Sequence, residues 1–171
     1  MKNILFITGF LFAALTGYSQ KAITLKINHK LGSADFAFNQ TAQNDQSQQF
    51  QVTRVDYYIS KITLIHDGGT TTDVPNHYVL AKGNADVVDL LGTFNVTNIE
   101  GIRFYIGVDT PANNADPALQ QSLSPLYFQN PSMHWGWSAG YRFVALEGKA
   151  GTGFNTIFEL HGLWNDNYFG Q

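Results

Sequence analysis

A long β-prone run between residues 50 and 66 constrains the fold of this chain more than any other feature. The run reads FQVTRVDYYISKITLIH and is followed by the turn signal Asp67-Gly68-Gly69. β-Branched and aromatic residues are enriched in strands, and clusters of Gly and Asp end them. The run therefore predicts a long β-strand.

Shorter segments show the same character. Residues 22–30 alternate between apolar and polar side chains, and His29 falls on the apolar face, so we expect its side chain to point inward. Further strands are predicted at residues 78–81, 87–91, 102–108, 141–147 and 155–161. The sequence contains no amphipathic helical pattern and no internal repeat. These features predict an all-β fold, either an antiparallel β-sandwich or a partly closed barrel.

One segment, residues 110–132, has neither strand nor helix character. It contains Pro111, Pro117, Pro125 and Pro131 among Asn, Ala, Gln and Ser residues. We predict one long Pro-rich loop here, and loops of this length inside compact domains are often functional.

The N-terminal residues 1–20 have the pattern of a secretory signal peptide. Lys2 supplies the positive charge, residues 4–15 are mostly apolar, and small residues follow at Gly17 and Ser19. An uncleaved anchor is the alternative, but the apolar run is short for a membrane span and no second one follows. No Cys follows it, which excludes a lipid anchor. We therefore predict a single exported domain, residues 21–171, periplasmic or secreted and without a membrane span.

Charge and composition exclude several functions. The formal net charge is −3 and no basic cluster occurs, so the chain lacks the footprint of a nucleic-acid-binding protein. The absence of Cys excludes disulfides, thiolate ligands and Fe–S clusters. No Gly-x-Ser-x-Gly, His-Glu-x-x-His or phosphate-loop motif is present, and we predict that the protein is not an enzyme.

The segment MHWGWSAGY, residues 133–141, is the richest in chemistry. It places His134 beside two indoles, Trp135 and Trp137. Neutral imidazole is a common ligand for copper and zinc. Two indoles beside one His indicate either a built site or a dense core, and both interpretations stay open on spacing alone.

The order of several motifs resembles the MbnP-like family of exported copper-binding proteins, which is named for a periplasmic protein linked to methanobactin. The resemblance covers most of residues 22–164 and rests on INHKLG at 27–32, YYIS at 57–60, GVD at 107–109 with Asn113, MHWGW at 133–137, GYRF at 140–143, LEG at 146–148 and ELH at 159–161.

The resemblance implies a β-sandwich that binds a copper ion. In the best-known members of this family one tryptophan is oxidised to kynurenine by a partner enzyme of the di-haem peroxidase type, and His side chains bind copper close to it. Carried over to this chain, the resemblance implies that His134 and His161 are metal ligands. His29 is a candidate for a third ligand, and the alternative is a core histidine on the apolar face of its strand. The resemblance also implies that Trp135 or Trp137 is the modified residue.

The chain departs from the family pattern in two respects. Some relatives carry four Cys, and relatives also continue beyond the position of Gln171 into further strands. The domain is therefore expected to be either a short variant or a truncated reading frame.

His134 and His161 are far apart in sequence and can share a metal only if the predicted strands 141–147 and 155–161 pair as a hairpin. We expect that hairpin, and with it a shared site. Met133 is interpreted mainly as a core residue that fills a gap, although a thioether also suits Cu(I). His66 and His77 are expected to be solvated.

Two other functions remain open. One is a secreted carbohydrate- or surface-binding β-sandwich without metal, in which Trp135, Trp137 and Trp164 are stacking platforms. The other is a purely structural exported domain whose His and Trp residues form its core.

Overall fold

The computed structural model describes residues 20–136 and 138–171. The predicted signal peptide lies outside this range except for Gln20, and Trp137 lies outside it as well. The strands are β1 Lys21–Ile27, β2 Lys30–Leu31, β3 Ala34–Asp35, β4 Thr41–Gln43, β5 Gln49–His66, β6 Thr70–Asp73, β7 Val79–Lys82, β8 Val87–Phe94, β9 Ile99–Ile106, β10 His134–Gly136, β11 Gly140–Tyr141, β12 Val144–Ala150, β13 Thr156–Gly162 and β14 Phe169–Gly170.

Helical structure in the described residues is limited to one turn of α-helix and two 3₁₀ turns. The α-helix α1 spans Thr110–Asn113, and the 3₁₀ turns span Pro117–Leu119 and Asn165–Asn167. No helix among these residues is long and apolar enough to span a bilayer. The prediction of an all-β fold is confirmed.

The 18-residue strand β5 organises the main sheet. On one side it pairs antiparallel with β12 along its first half and with β9 along its second half. On the other side it pairs with β4, β7 and β6 in turn. β13 extends the sheet beyond β12, and β14 pairs with β9. The predicted long strand is thus the centre of a curled antiparallel sheet.

A bulge in β5 allows its two halves to contribute to one core. The register with β9 shifts between Ser60 and Thr63, and Lys61 adopts a positive φ of 46°. An extra residue at a bulge changes the phase of the alternation. As a result Ile59 and Ile62 pack in the same cluster although they are three positions apart.

Two layers cover the two faces of the main sheet. The β1–β8 ribbon packs on one face, where Ile59, Ile62 and Leu64 meet side chains from both ribbon strands. Residues 108–145 supply most of the other cluster, which includes the buried aromatic residues Tyr141 and Phe143. Burial of each such side chain contributes about 1.5–3 kcal/mol. The result is a sandwich with a core on each side of the sheet.

The Pro-rich segment crosses the second face as the predicted loop, except for α1 and the 3₁₀ turn Pro117–Leu119 within it, and buried hydrogen bonds fix its path. The hydroxyl of Tyr58 donates to the carbonyl oxygen of Pro125 at 2.9 Å. The backbone N–H of Tyr141 donates to the Asn113 side chain at 2.7 Å, and Asn113 is 2% exposed. These bonds fix the path of the loop up to β10, which pairs with β11.

Candidate functional site

His161 lies on β13 within the predicted hairpin, which the structure confirms. Strands β12 and β13 pair over their full lengths. His161 pairs with Ala145 of β12, and Ala145 pairs in turn with Asp56 of β5, so the three residues form one row across the sheet. The imidazole Nε2 is 2.9 Å from Oε1 of Glu147. An ionised carboxylate only accepts hydrogen bonds, so Nε2 carries the hydrogen and donates it. In the neutral ring, Nδ1 then has a lone pair for a metal.

Glu147 is held by a second donor from the central strand. Arg54 donates to Glu147 at 2.9 Å and to Asp56 at 2.8 Å, and all three side chains are largely buried. Burial by itself would raise the pKa of Glu147, but the bonds to His161 and Arg54 outweigh it and lower the pKa. Glu147 is therefore ionised at neutral pH. The sequence alone does not indicate this role for Glu147, because its contact with His161 depends on strand register.

Trp135 packs against the His161 imidazole from the neighbouring ribbon β10–β11. The two rings have centroids 5.7 Å apart at an angle of 60°, and the Arg142 guanidinium lies 4.6 Å from the indole centroid. Trp135 nevertheless remains 54% exposed. The structure thus places one candidate tryptophan directly beside one candidate ligand, at the surface.

His134 packs on a tyrosine of the second core. Its ring lies edge-on to Tyr141 with centroids 5.1 Å apart, and Tyr141 is buried in the second core. Burial lowers the pKa of His134, although Asp116 acts in the opposite direction, so the ring is neutral at pH 7. His134 therefore packs on a core residue, whereas Trp135 packs on His161.

His29 lies on the opposite face of the main sheet. It follows the end of β1, and its Nε2 is 3.1 Å from the hydroxyl of Tyr57. Tyr57 and Asp56 are neighbours in β5, so their side chains point to opposite faces of the sheet. Asp56 lies in the same row as His161 and therefore on the face of His161, whereas Tyr57 and His29 lie on the other face. The structure brings His161 to Trp135 but does not bring His29 to His161. Among the described residues, no three His, Asp or Glu side chains form a group that could hold a metal ion.

The other candidate residues are Met133, His66 and His77, and each contacts neighbouring side chains or strands of the fold. Met133 is 1% exposed, and its sulfur accepts a hydrogen bond from Arg54, which confirms its interpretation as a core residue. The prediction that His66 is solvated is wrong, because β6 and β9 flank it and leave it 5% exposed. His77 is partly exposed and contacts Asp89.

The lowered pKa of Glu147 predicts a specific acid sensitivity. A carboxylate with a lowered folded-state pKa adds stability above its ordinary pKa, near 4.5, and that stability is lost as the pH falls through the folded-state value. We expect Glu147→Gln to destabilise the protein at pH 7 and to flatten the loss of unfolding free energy between about pH 5 and about pH 3. Urea denaturation across this range measures both effects. The control Glu159→Gln changes the cross-strand neighbour of Glu147. If Glu159→Gln flattened the pH dependence of the unfolding free energy as much as Glu147→Gln, the acid sensitivity would not come from Glu147.

Comparison with known proteins gives the chain a family. A sequence model of the MbnP family matches residues 20–165. Among solved structures the fold is similar to MbnP from Methylosinus trichosporium, with a TM-score of 0.63 and 13% sequence identity. The match covers 84% of this chain and 62% of that one, so this chain spans less than two thirds of its relative. A search among curated proteins found no match. The family match covers most of the sequence, and the chain belongs to the MbnP family.

Proposed function

We propose that this chain is an exported copper-binding protein in which His161 is a copper ligand and an oxidised Trp135 supplies a further donor. The observation that carries the proposal is the exposed Trp135 indole 5.7 Å from the His161 imidazole, whose Nε2 is fixed by Glu147. Membership of the MbnP family supports it.

The chemistry around His161 fits a copper ligand. Metal-binding imidazoles commonly donate their second N–H to a carboxylate, which fixes the tautomer and raises the basicity of the ligating nitrogen. Glu147 occupies that position, with Nδ1 left for the metal. Imidazole nitrogen is a favourable donor for copper. Glu147 is therefore proposed as the residue that orients His161.

With unmodified side chains such a site has too few atoms that can coordinate copper, and oxidation of Trp135 would add further coordinating atoms. An indole N–H only donates hydrogen bonds. Kynurenine has an open ring with an aniline nitrogen and a ketone oxygen, and both atoms have lone pairs. Formed at position 135, it would place new donors beside His161. We propose that this modification raises the affinity of the site for copper.

The exposure of Trp135 suits oxidation by a partner enzyme, for which we propose one of the di-haem peroxidase type. With 54% of its surface accessible, the indole can be approached without unfolding of the sandwich. Arg142 over one ring face holds the indole in place. The same contact reduces the aromatic surface available to a sugar, which favours the copper-binding function over a carbohydrate-binding one. We propose a periplasmic or secreted location and no enzymatic activity for the chain itself.

Peptide mass mapping of protein from its native host tests the modification. Conversion to kynurenine adds one oxygen and removes one carbon, so we expect residue 135 to be about 4 Da heavier than Trp. Trp164 is 51% exposed and serves as an internal control, because non-selective oxidation would modify it as well. Unmodified Trp at both 135 and 137, with copper tightly bound, would contradict the proposed role of kynurenine.

A further inference from the structure

We propose that the protein has a second ligand site, independent of the copper proposal, which binds a small zwitterion such as an α-amino acid between Lys61 and Asp109. Both residues line one cleft of about 420 Å³ between the bulge of β5, the β6–β7 connection and the end of β9. Clefts of about 300–1,000 Å³ with apolar walls and a few polar groups are typical of small-molecule sites.

The backbone at Lys61 is the first observation. Its φ of 46° lies in the left-handed region, which Gly adopts without steric cost and other L-residues adopt at a cost of about 1–2 kcal/mol. The bulge explains why a left-handed residue is needed, but it does not explain why that residue is a lysine. Strained backbone of this kind clusters at active sites and ligand clamps.

The position of the Lys61 ammonium is the second observation. Its Nζ lies 6.0 Å from the ring centroid of Tyr105 and 5.7 Å from that of Tyr168, and these two rings stack 4.7 Å apart. Lys61 forms no ion pair with a carboxylate in the described part of the chain. Ring faces attract a cation without neutralising it. The cleft therefore presents a positive charge that remains available to an anionic group.

A carboxylate fixed by a tyrosine provides the opposite charge. The Tyr78 hydroxyl donates to Oδ1 of Asp109 at 2.5 Å. Burial raises the pKa of Tyr78, and the bond to Asp109 raises it further, so the phenol stays protonated and keeps donating. This bond orients the Asp109 carboxylate, which has further acceptor sites for an ammonium group.

The charges of the lining select the class of ligand. Besides Lys61 and Asp109 the cleft contains Asp73, which accepts a hydrogen bond from Thr63, and His77, which contacts Asp89. A simple anion would meet two carboxylates, and a simple cation would meet Lys61. A molecule with both charges satisfies Lys61 and Asp109 together. The apolar part of the wall, formed by Ile62, Val74, Pro75 and Tyr105, would receive an apolar side chain.

Calorimetric titration of the full mature chain with L-leucine tests this site. The matched analogues are 4-methylpentanoate, which lacks the ammonium group, and 3-methylbutylamine, which lacks the carboxylate. Each charged contact is worth about tenfold or more in affinity, so leucine should bind at least about tenfold more tightly than either analogue. Absence of leucine binding, or equal binding of either analogue, would overturn the proposal.

Lys61→Gly separates recognition from folding. Gly accepts the backbone conformation at position 61 without strain, so the variant should remain folded while leucine affinity falls at least about tenfold. Ser47→Gly makes the same kind of change at a φ of 59° in an exposed loop that does not line the cleft, and it should leave leucine binding unchanged. Unchanged leucine affinity in Lys61→Gly would show that Lys61 does not recognise the ligand.

Discussion

Replacement of Arg54 by Met is expected to lower the free energy of unfolding by about 3–5 kcal/mol. Arg54 is the common partner of Asp56 and Glu147, with N···O distances of 2.8 and 2.9 Å, and its own side chain is 11% exposed. Removal of one partner from a buried ion pair leaves uncompensated charge in a poorly solvated place. The variant also loses the hydrogen bond from Arg54 to the carbonyl oxygen of Ser132, which anchors the end of the Pro-rich loop.

Urea denaturation at pH 7 measures this loss, and Arg103→Met is the matched control. Arg103 lies on β9 of the same sheet but is exposed, so its replacement should change the unfolding free energy by less than about 0.5 kcal/mol. Similar small losses in both variants would show that the Arg54 cluster does not support the sheet.

Replacement of His161 by Gln is expected to lower copper affinity by at least about 100-fold. Loss of a group that only orients a ligand costs about 10–100-fold, and loss of a ligand should cost at least as much. His134→Gln and His29→Gln should each cost less than about tenfold, because these imidazoles pack on Tyr141 and Tyr57, whereas the His161 imidazole packs on Trp135. Competition titration with a Cu(I) chelator on native-host protein measures all three variants. A loss at His134 or His29 equal to that at His161 would support the shared multi-His site that the family resemblance implies.

The strands were predictable where one local pattern determines them. The central run from residue 50 to residue 66 became β5 with a difference of one residue, because β-branched and aromatic residues fill it and Asp67-Gly68-Gly69 ends it. The hairpin that carries His161 was predictable for the same reason. The bulge at Lys61 was missed, although the three-residue spacing of Ile59 and Ile62 in an alternating run was a signal for it.

The candidate site was predictable only in part, because side-chain direction depends on pairing between distant strands. His134 and Trp135 are adjacent in sequence, and the pairing of His134 with Tyr141 turns the first towards the core. The contact of Glu147 with His161 likewise follows from the β12–β13 register, and the spacing of the two residues in the sequence does not predict it. The turn Asp67-Gly68-Gly69 beside His66 favours a solvated side chain, whereas the strands that flank His66 determine its burial.

Copper affinity of Trp135→Phe protein, produced in the native host beside wild type and Trp164→Phe, is the most direct test of the central claim. If an oxidised residue 135 is a donor beside His161, Trp135→Phe lacks that donor and should bind copper about 10–100-fold more weakly than wild type. Trp164→Phe should match wild type, since Trp164 is a similarly exposed indole on a different segment. Wild-type copper affinity in Trp135→Phe would contradict the account.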